Sequence, residues 1–340
     1  MKKKLRHLIL HPLLLLVLIS KGQDPYFSQF FMSPMTLNPA LTGKNIANYR
    51  VTMNRKTQWW GENVQSFTNN SFSVEKNILS DSIIKDQLSL GINFSNDVSA
   101  GGLLKSNYIM LSSAYNNALD ANGNSLIGIG IAISYANRIT DPSKFLFQSQ
   151  FTSMGFNPNI SANDPIITVP SHYLDIHSGV HYSYSGTKTN FHAGFAMFHI
   201  GKSQDGVVSN HDQYIVPTRF LIQTGFGINI NKFSKGRIEA LLQSQGNYKT
   251  YHLGAIYTVP INIYKTMNLD LGLWVKKHAV VYPYIALGSQ SWKLGLSYDF
   301  VAGDIQSAYQ SMQSLELSFA FGISGKNKNL LKRNTENLLY

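Results

Sequence analysis

Asp175, His177 and His181 are the residues whose types and spacing come nearest to a reactive site in this chain. They occupy alternate positions of a segment that reads as a β-strand, with Gly179 and Ser183, so all five share one face. His192 or His199 would supply a further imidazole from the neighbouring strand. Imidazoles and carboxylates in such company can bind a transition metal. Strand residues four apart are separated by roughly 13 Å, however, too far to share one ion. The set therefore reads as polar lining, and no metal or other cofactor is expected. A serine hydrolase is the other chemistry on offer. Ser178 stands beside His177, but adjacent strand residues face opposite ways. No Gly-x-Ser-x-Gly elbow appears in a strand-to-helix setting. Gly128-Ile129-Gly130 lacks the following helix and the Lys-Ser/Thr of a phosphate loop. Acidic residues are few and scattered. The expectation is a protein that is not an enzyme and has no small-molecule substrate.

The elements that must position these side chains follow from the rest of the chain. Lys2, Lys3, Lys4 and Arg6 precede an apolar run from Leu8 to Ile19, and Ser20 and Gly22 are small residues suited to a cut after Gly22. This is the layout of a cleavable export signal, 1–22, too short for a spanning helix. No later apolar run is long enough to cross a membrane as a helix. If the mature chain sits in a membrane it must close into a barrel, because lipid offers an open sheet edge no hydrogen-bond partners. The absence of Cys excludes disulfides, Cys-ligated zinc and thiol nucleophiles. Five of the formal +11 charges leave with the signal (Lys2, Lys3, Lys4, Arg6, Lys21), so the mature chain is near +6. That charge is dispersed apart from the tail Lys326, Lys328, Lys332 and Arg333, which argues against a nucleic-acid partner. Aromatic residues make up 12% and charged residues only 14%, a balance that suits a surface facing lipid.

The hydrophobic period is two. Ile127, Ile129, Ile131, Ile133 and Tyr135 alternate with Gly128, Gly130, Ala132 and Ser134. The same pattern runs through 219–230, 292–300 and 315–323. The apolar faces carry large side chains, while the other faces are small and weakly charged, as expected of a narrow, hydrated or plugged lumen. Strands are expected near 49–58, 66–76, 87–97, 106–116, 126–138, 173–184, 190–200, 217–230, 236–245, 247–257, 267–277, 279–289, 291–300 and 314–323. An even number of about fourteen suits a transmembrane antiparallel β-barrel spanning 49–323. The connections 139–172, 201–216 and 301–313 are long, whereas 117–125, 185–189 and 231–235 are short. Long outer loops and short periplasmic turns place both termini in the periplasm. A segment 23–48 precedes the barrel and a basic tail 324–340 follows it. The first of these, with Pro25, Pro34 and Pro39 among Phe27, Phe30, Phe31 and Met32, is apolar but poor at regular structure. It can plug the lumen or dock on a periplasmic partner.

Gln23-Asp24-Pro25, Phe27-Ser28-Gln29-Phe30, Leu37-Asn38-Pro39-Ala40 with Gly43, and Tyr49-Arg50 followed by Arg55 and Gln58-Trp59 together resemble the PorP/SprF family of Bacteroidetes. Further similarity lies in Leu174-Asp175 with Gly179 and Tyr182, in Gly194 with His199-Ile200, in Leu253-Gly254-Ala255, and in Ser297-Tyr298-Asp299 with Leu315-Glu316. The resemblance implies an outer-membrane component of type IX secretion and gliding machinery, assisting export or surface attachment of cargo such as adhesins. It implies as partners membrane lipids, a secreted cargo protein, and periplasmic secretion components or peptidoglycan-associated proteins. Asp24, Pro25, Phe27, Ser28, Gln29, Phe30, Asn38, Pro39, Arg50 and Trp59 are the expected partner-binding residues, and the loops 139–172 and 201–216 the expected cargo contacts. A passive porin-like channel and an outer-membrane lipid hydrolase remain as alternatives.

Overall fold

The computed structural model describes residues 24–44, 48–59, 65–80, 86–141, 147–157, 159–160, 171–201, 204–205, 214–231, 233–261, 266–277, 280–301 and 313–323. The expected export signal and the basic tail 324–340 lie outside these residues.

Alternating sequence becomes alternating burial. In Ser125–Thr140 the inward Ala132 and Ala136 are 2% and 0% exposed, whereas Ile129, Ile131 and Ile133 are exposed on the outer face. Fourteen such strands form one closed antiparallel sheet. They are β1 (Tyr49–Gln58), β2 (Phe67–Ser80), β3 (Gln87–Ser99), β4 (Leu104–Ala118), β5 (Ser125–Thr140), β6 (Ser171–Ser185) and β7 (Thr189–Phe198). They continue with β8 (Arg219–Asn229), β9 (Lys235–Gln245), β10 (Tyr248–Pro260), β11 (Met267–Lys276), β12 (Val280–Ser289), β13 (Trp292–Val301) and β14 (Ser314–Ile323). Neighbours in sequence are neighbours in space, and β1 pairs with β14 from Tyr49–Ile323 to Gln58–Ser314, which leaves no edge. Every expected strand is present. β8 starts later than expected because Pro217, without an N–H to donate, stands before it. β7 ends at Phe198 because His199 turns the backbone to φ 60°.

The loop asymmetry assigns the two ends. The connections 141–170 and 199–218 leave one end, and 119–124, 186–188 and 230–234 turn at the other. The long-loop end is the outer face. Two short hairpins rise from it, Phe151–Thr152 with Gly155–Phe156 and Gln204–Asp205 with Tyr214–Ile215.

The lumen is filled by the chain's own beginning. Residues 24–44 run inside the barrel from the outer end to the periplasmic end, where β1 starts. Prolines keep this segment to single turns: Phe30–Met32, Pro34–Leu37 and Pro39–Leu41. Phe30, Phe31, Met32, Met35, Leu37 and Leu41 are buried against wall residues including Trp274, Tyr282 and Tyr284. Phe31 stacks on Trp274 at 5.1 Å between ring centres and meets Tyr284 edge-on at 5.1 Å. Small wall residues make room for the segment's backbone. A Cβ on Gly130 would lie 2.3 Å from Ala40 N, and one on Gly179 would lie 2.0 Å from Asn38 Oδ1.

Gly130→Leu therefore removes the seat of the Pro39–Leu41 turn without touching the lipid face. Overpacking of this kind costs about 2 kcal/mol. The barrel should still close, seen as heat-modifiable migration in gels, while 24–44 becomes open to protease. Equal protease resistance of Gly130→Leu and wild type would show that the turn does not rest on this strand.

Candidate functional site

An irregular segment buried in a barrel cannot satisfy its own backbone, so wall side chains must do so. They do it at three levels. At the outer level Ser28 N and Gln29 N donate to the two carboxylate oxygens of Glu316 at 2.6 and 2.9 Å. Gln29 Nε2 returns two bonds, to Ser297 Oγ at 3.0 Å and to Glu316 O at 2.9 Å. Beside them Lys276 Nζ donates to Asp299 Oδ2 at 2.5 Å, and Lys56 Nζ donates to Ser28 Oγ at 3.0 Å. At mid-height Asn38 donates to Val180 O and Phe195 O, and its Oδ1 caps the next turn at Ala40 N, 2.9 Å. At the periplasmic level Glu75 accepts from Gly43 N at 2.7 Å and takes a two-pronged bond from Arg50, at 2.8 and 2.5 Å. Arg50 also donates to Leu41 O and Lys44 O, closing the end of the segment.

The tip is tied most tightly. Asp24 Oδ2 lies 2.5 Å from His199 Nε2 and 3.6 Å from Arg219 Nη1, and Asp24 N donates to Gln245 Oε1 at 2.9 Å. The other ring nitrogen of His199 is paired with Asp175 Oδ2. One imidazole thus bridges a carboxylate of the segment and a carboxylate of the wall. Burial alone would lower the His199 pKa, but Asp24 and Asp175 raise it to about 9. Burial alone would raise that of Asp24, but His199 and Arg219 hold it well below the usual carboxylate range.

The strand spacing does keep His181 apart from His177, but His199, one of the two imidazoles expected from the neighbouring strand, completes a closer set. Asp175, His177 and His199 bring their ligand atoms within 4.8 Å of one another, because His199 reaches back from the end of β7. Such a set has the donor chemistry to hold a divalent cation. Its nitrogens are already engaged: His177 Nδ1 accepts from His199 N at 3.2 Å, and His177 Nε2 is 2.7 Å from Ser134 Oγ. The same bonds remove a hydrolytic base. With Nδ1 accepting, the neutral ring carries its proton on Nε2 and offers Ser134 a donor, not a lone pair. His181 is elsewhere, its Nε2 3.3 Å from Lys44 Nζ and its ring stacked on His192.

The ten residues expected to meet a periplasmic partner have a different placement. Phe27, Ser28, Gln29, Phe30, Asn38, Pro39 and Arg50 are buried in the lumen, and Asp24 and Pro25 are half-buried near its outer end. Trp59 stands at the outer end of β1, 4.6 Å from the ring of Phe67. A small cavity of about 90 Å3 remains beside the tip, lined by Asp24, Phe27, Thr36, Tyr108, Met110 and His177, among others. It has room for a few waters. Asp299 and Glu316 entered the sequence reading only through the family resemblance, and Glu75, Lys276 and Arg219 were not singled out in the sequence. Their only signal is parity, which puts each on the inward face of its strand.

Residues 19–321 match the type IX secretion system membrane protein PorP/SprF. The chain belongs to the PorP/SprF family. Family membership makes it a membrane protein of type IX secretion, and the closed barrel puts it in the outer membrane. Solved barrels are similar to the chain at low identity. A deltaS2S3 mutant of the TodX monoaromatic hydrocarbon channel matches with a TM-score of 0.50 at 10% identity, over 90% of this chain and 96% of that one. The P. putida toluene transporter TodX gives 0.45 at 9% identity, over 87% and 94% of the two chains. A P. aeruginosa FadL homologue gives 0.47 at 10%, over 84% and 92%. Among curated protein sequences, none matches the chain.

The tip contact should depend on pH. His199 has the higher pKa when folded, so its contribution is complete below its unfolded value of 6.5 and is lost as pH rises through about 9. Asp24 has the lower pKa when folded, so its contribution is complete above its unfolded value of 3.8 and is lost as pH falls. Protease protection of the segment should peak between about pH 4 and 6.5 and fall by pH 10. His199→Ala leaves Asp175 buried without its cation and half-buried Asp24 with Arg219 alone, a loss of about 3 kcal/mol. It should abolish the alkaline step. An unchanged pH profile in His199→Ala would refute the role given to this imidazole.

Proposed function

We propose that this PorP/SprF protein is a closed outer-membrane station that assists export or surface attachment of a cargo protein through its outer loops, without passing the cargo through its own lumen. The filled lumen carries this reading: the aromatic stack on Trp274 and the three tiers of hydrogen bonds leave no path wide enough for a polypeptide. The docking residues expected for a periplasmic partner act instead by holding the segment in place, and periplasmic components would meet the short turns and the barrel's lower rim. The outer hairpin at 151–156 supports a cargo role. Met154 at its tip is 93% exposed and Phe151 at its base 62%, an apolar offering that marks a contact surface.

Two measurements separate this reading from a porin. In a planar bilayer the wild-type protein should give no steady ion conductance; stepwise channels at neutral pH would favour the porin. In cells, Phe151→Ser with Met154→Ser should lower surface-retained cargo at least tenfold while barrel abundance is unchanged. Full retention of cargo by that variant would remove the hairpin from the proposed contact.

A further inference from the structure

The outward face of a membrane barrel is expected to be apolar until it reaches the headgroups. On one wall it carries an ordered polar row. Arg55, Asn70, Asn96, Asn107 and Asn137 lie directly opposite one another on β1 to β5. Each is three residues inside the outer end of its strand. All five point outward. Met53, Phe72, Phe94, Ile109 and Tyr135, two positions nearer the periplasm on the same faces, are exposed, whereas the alternate Asn54, Asn69, Ser106 and Ala136 are buried in the lumen. The amides link side by side: Arg55 Nη1 to Asn70 Oδ1 at 3.4 Å, Asn70 Nδ2 to Asn96 Oδ1 at 3.4 Å, and Asn96 Nδ2 to Asn107 Oδ1 at 2.8 Å. Asn137 Oδ1 at the end of the row is buried with no partner.

Each carboxamide offers two N–H donors and an acceptor oxygen with two lone pairs. Asn70 and Asn96, linked on either side, and Asn107, linked on one, each keep at least one donor and one lone pair unused. In hydrocarbon each would cost a few kcal/mol, so something polar must cover them. The opposite wall has no such need, since Phe220, Leu242, Tyr251 and Val275 carry the apolar face toward its outer end. Charge narrows the occupant. Arg55 is exposed at one end of the row, and Lys105 is exposed one outward position beyond Asn107. Among the described residues no Asp or Glu faces outward near this row; the one carboxylate on the outer surface of this wall, Asp86 beside Tyr115 and Asn117, lies at the periplasmic end. Three strand spacings put the two cations roughly 14 Å apart across the sheet. Between them runs an open groove of about 660 Å3, lined by Met53, Arg55, Asn70, Phe94, Asn107 and Leu317, among others.

We propose that this row is a binding site for a phosphorylated glycolipid of the outer leaflet. Sugar hydroxyls and amides bridge the free asparagine groups, phosphates pair with Arg55 and Lys105, and acyl chains lie along Met53, Phe72, Phe94 and Ile109. A lipid supplies both the polar cover and the apolar contact that the wall presents.

The test uses the full chain purified from outer membranes in mild detergent, with bound lipid read by native mass spectrometry. Wild-type protein should retain a phosphorylated glycolipid, and after delipidation should recover it from vesicles containing bisphosphorylated lipid A but not from phosphatidylglycerol vesicles. Asn70→Leu with Asn96→Leu and Asn107→Leu suits a lipid-facing wall and should keep heat-modifiable folding while retaining at least tenfold less glycolipid. Lys105→Gln, a single exposed change, should weaken retention severalfold and reduce its sensitivity to salt. Ile238→Ala on the far wall should change nothing. The proposal is overturned if the folded triple variant keeps as much glycolipid as wild type, if phosphatidylglycerol is taken up equally, or if the row instead proves to join two copies of the chain, seen as a dimer that the triple variant loses.

Discussion

Closure of β1 on β14 is the constraint on which the rest depends. Pairing from Tyr49–Ile323 to Gln58–Ser314 removes the last free sheet edge, and it divides every strand into a face toward lipid and a face toward a common axis. The inward face mixes Gly, Ala, Ser and Asn with charged groups and a cluster of larger residues around Trp274, Tyr282 and Tyr284, and the luminal segment packs between them. A protein interior is close-packed. The segment 24–44 is what packs this one, so the barrel and its contents specify each other. Trp274, stacked on Tyr282 within the wall, gains a second stacking partner in Phe31, and Phe31 is there because Glu316 holds Ser28 and Gln29 one turn earlier.

That arrangement accounts for the position of the acids. Glu75, Asp175, Glu239, Asp270, Asp299 and Glu316 are all buried on inward faces. Several have a cation close by: Arg50 at Glu75, His199 at Asp175, Lys293 at Asp270 and Lys276 at Asp299. A buried pair adds little net stability over well-packed apolar residues, yet losing one partner is costly. Here the carboxylates do what apolar residues cannot. Glu75 and Glu316 accept backbone N–H groups from a segment whose prolines and single turns leave those groups unpaired. Specification of one path for the segment, more than raw stability, is the physical return on burying them.

The strands, their facing and their number were legible because alternation over eight or more residues is a local signal. Ile127 to Tyr135 needs no tertiary information to be read as lipid-facing. The location of 24–44 was only half legible. Its prolines and phenylalanines exclude a strand and a long helix, but an apolar, turn-rich segment looks the same whether it docks outward or fills a lumen. What decides is Glu316, whose contact with Ser28 spans 288 positions of sequence. The Asp175–His199 contact was hidden for a different reason. Parity places Asp175 correctly, but His199 leaves its strand at φ 60° and turns back, which no alternation pattern foretells. The outward asparagines were concealed by composition: Asn reads as lumen lining until register shows Asn70, Asn96 and Asn107 sharing a face with Phe72, Phe94 and Ile109.

The same residue that fastens the tip of the segment also begins an outer loop. His199 bonds Asp24 below and Asp175 beside it, and its carbonyl accepts from Thr218 Oγ1 at 3.0 Å, at the far end of the 199–218 connection. Arg219, the first residue after that connection, reaches both Asp24 and the carbonyl of Thr36. Both ends of one outer loop are therefore bonded to the luminal segment, which in turn is bonded through Gly43 and Arg50 to the periplasmic end of the barrel. A displacement of that loop cannot leave the tip contacts unchanged, because the imidazole has no free nitrogen with which to follow it. The segment thus carries hydrogen bonds to the wall at separate levels from the outer to the inner mouth of the barrel, with few regular bonds of its own to resist being moved.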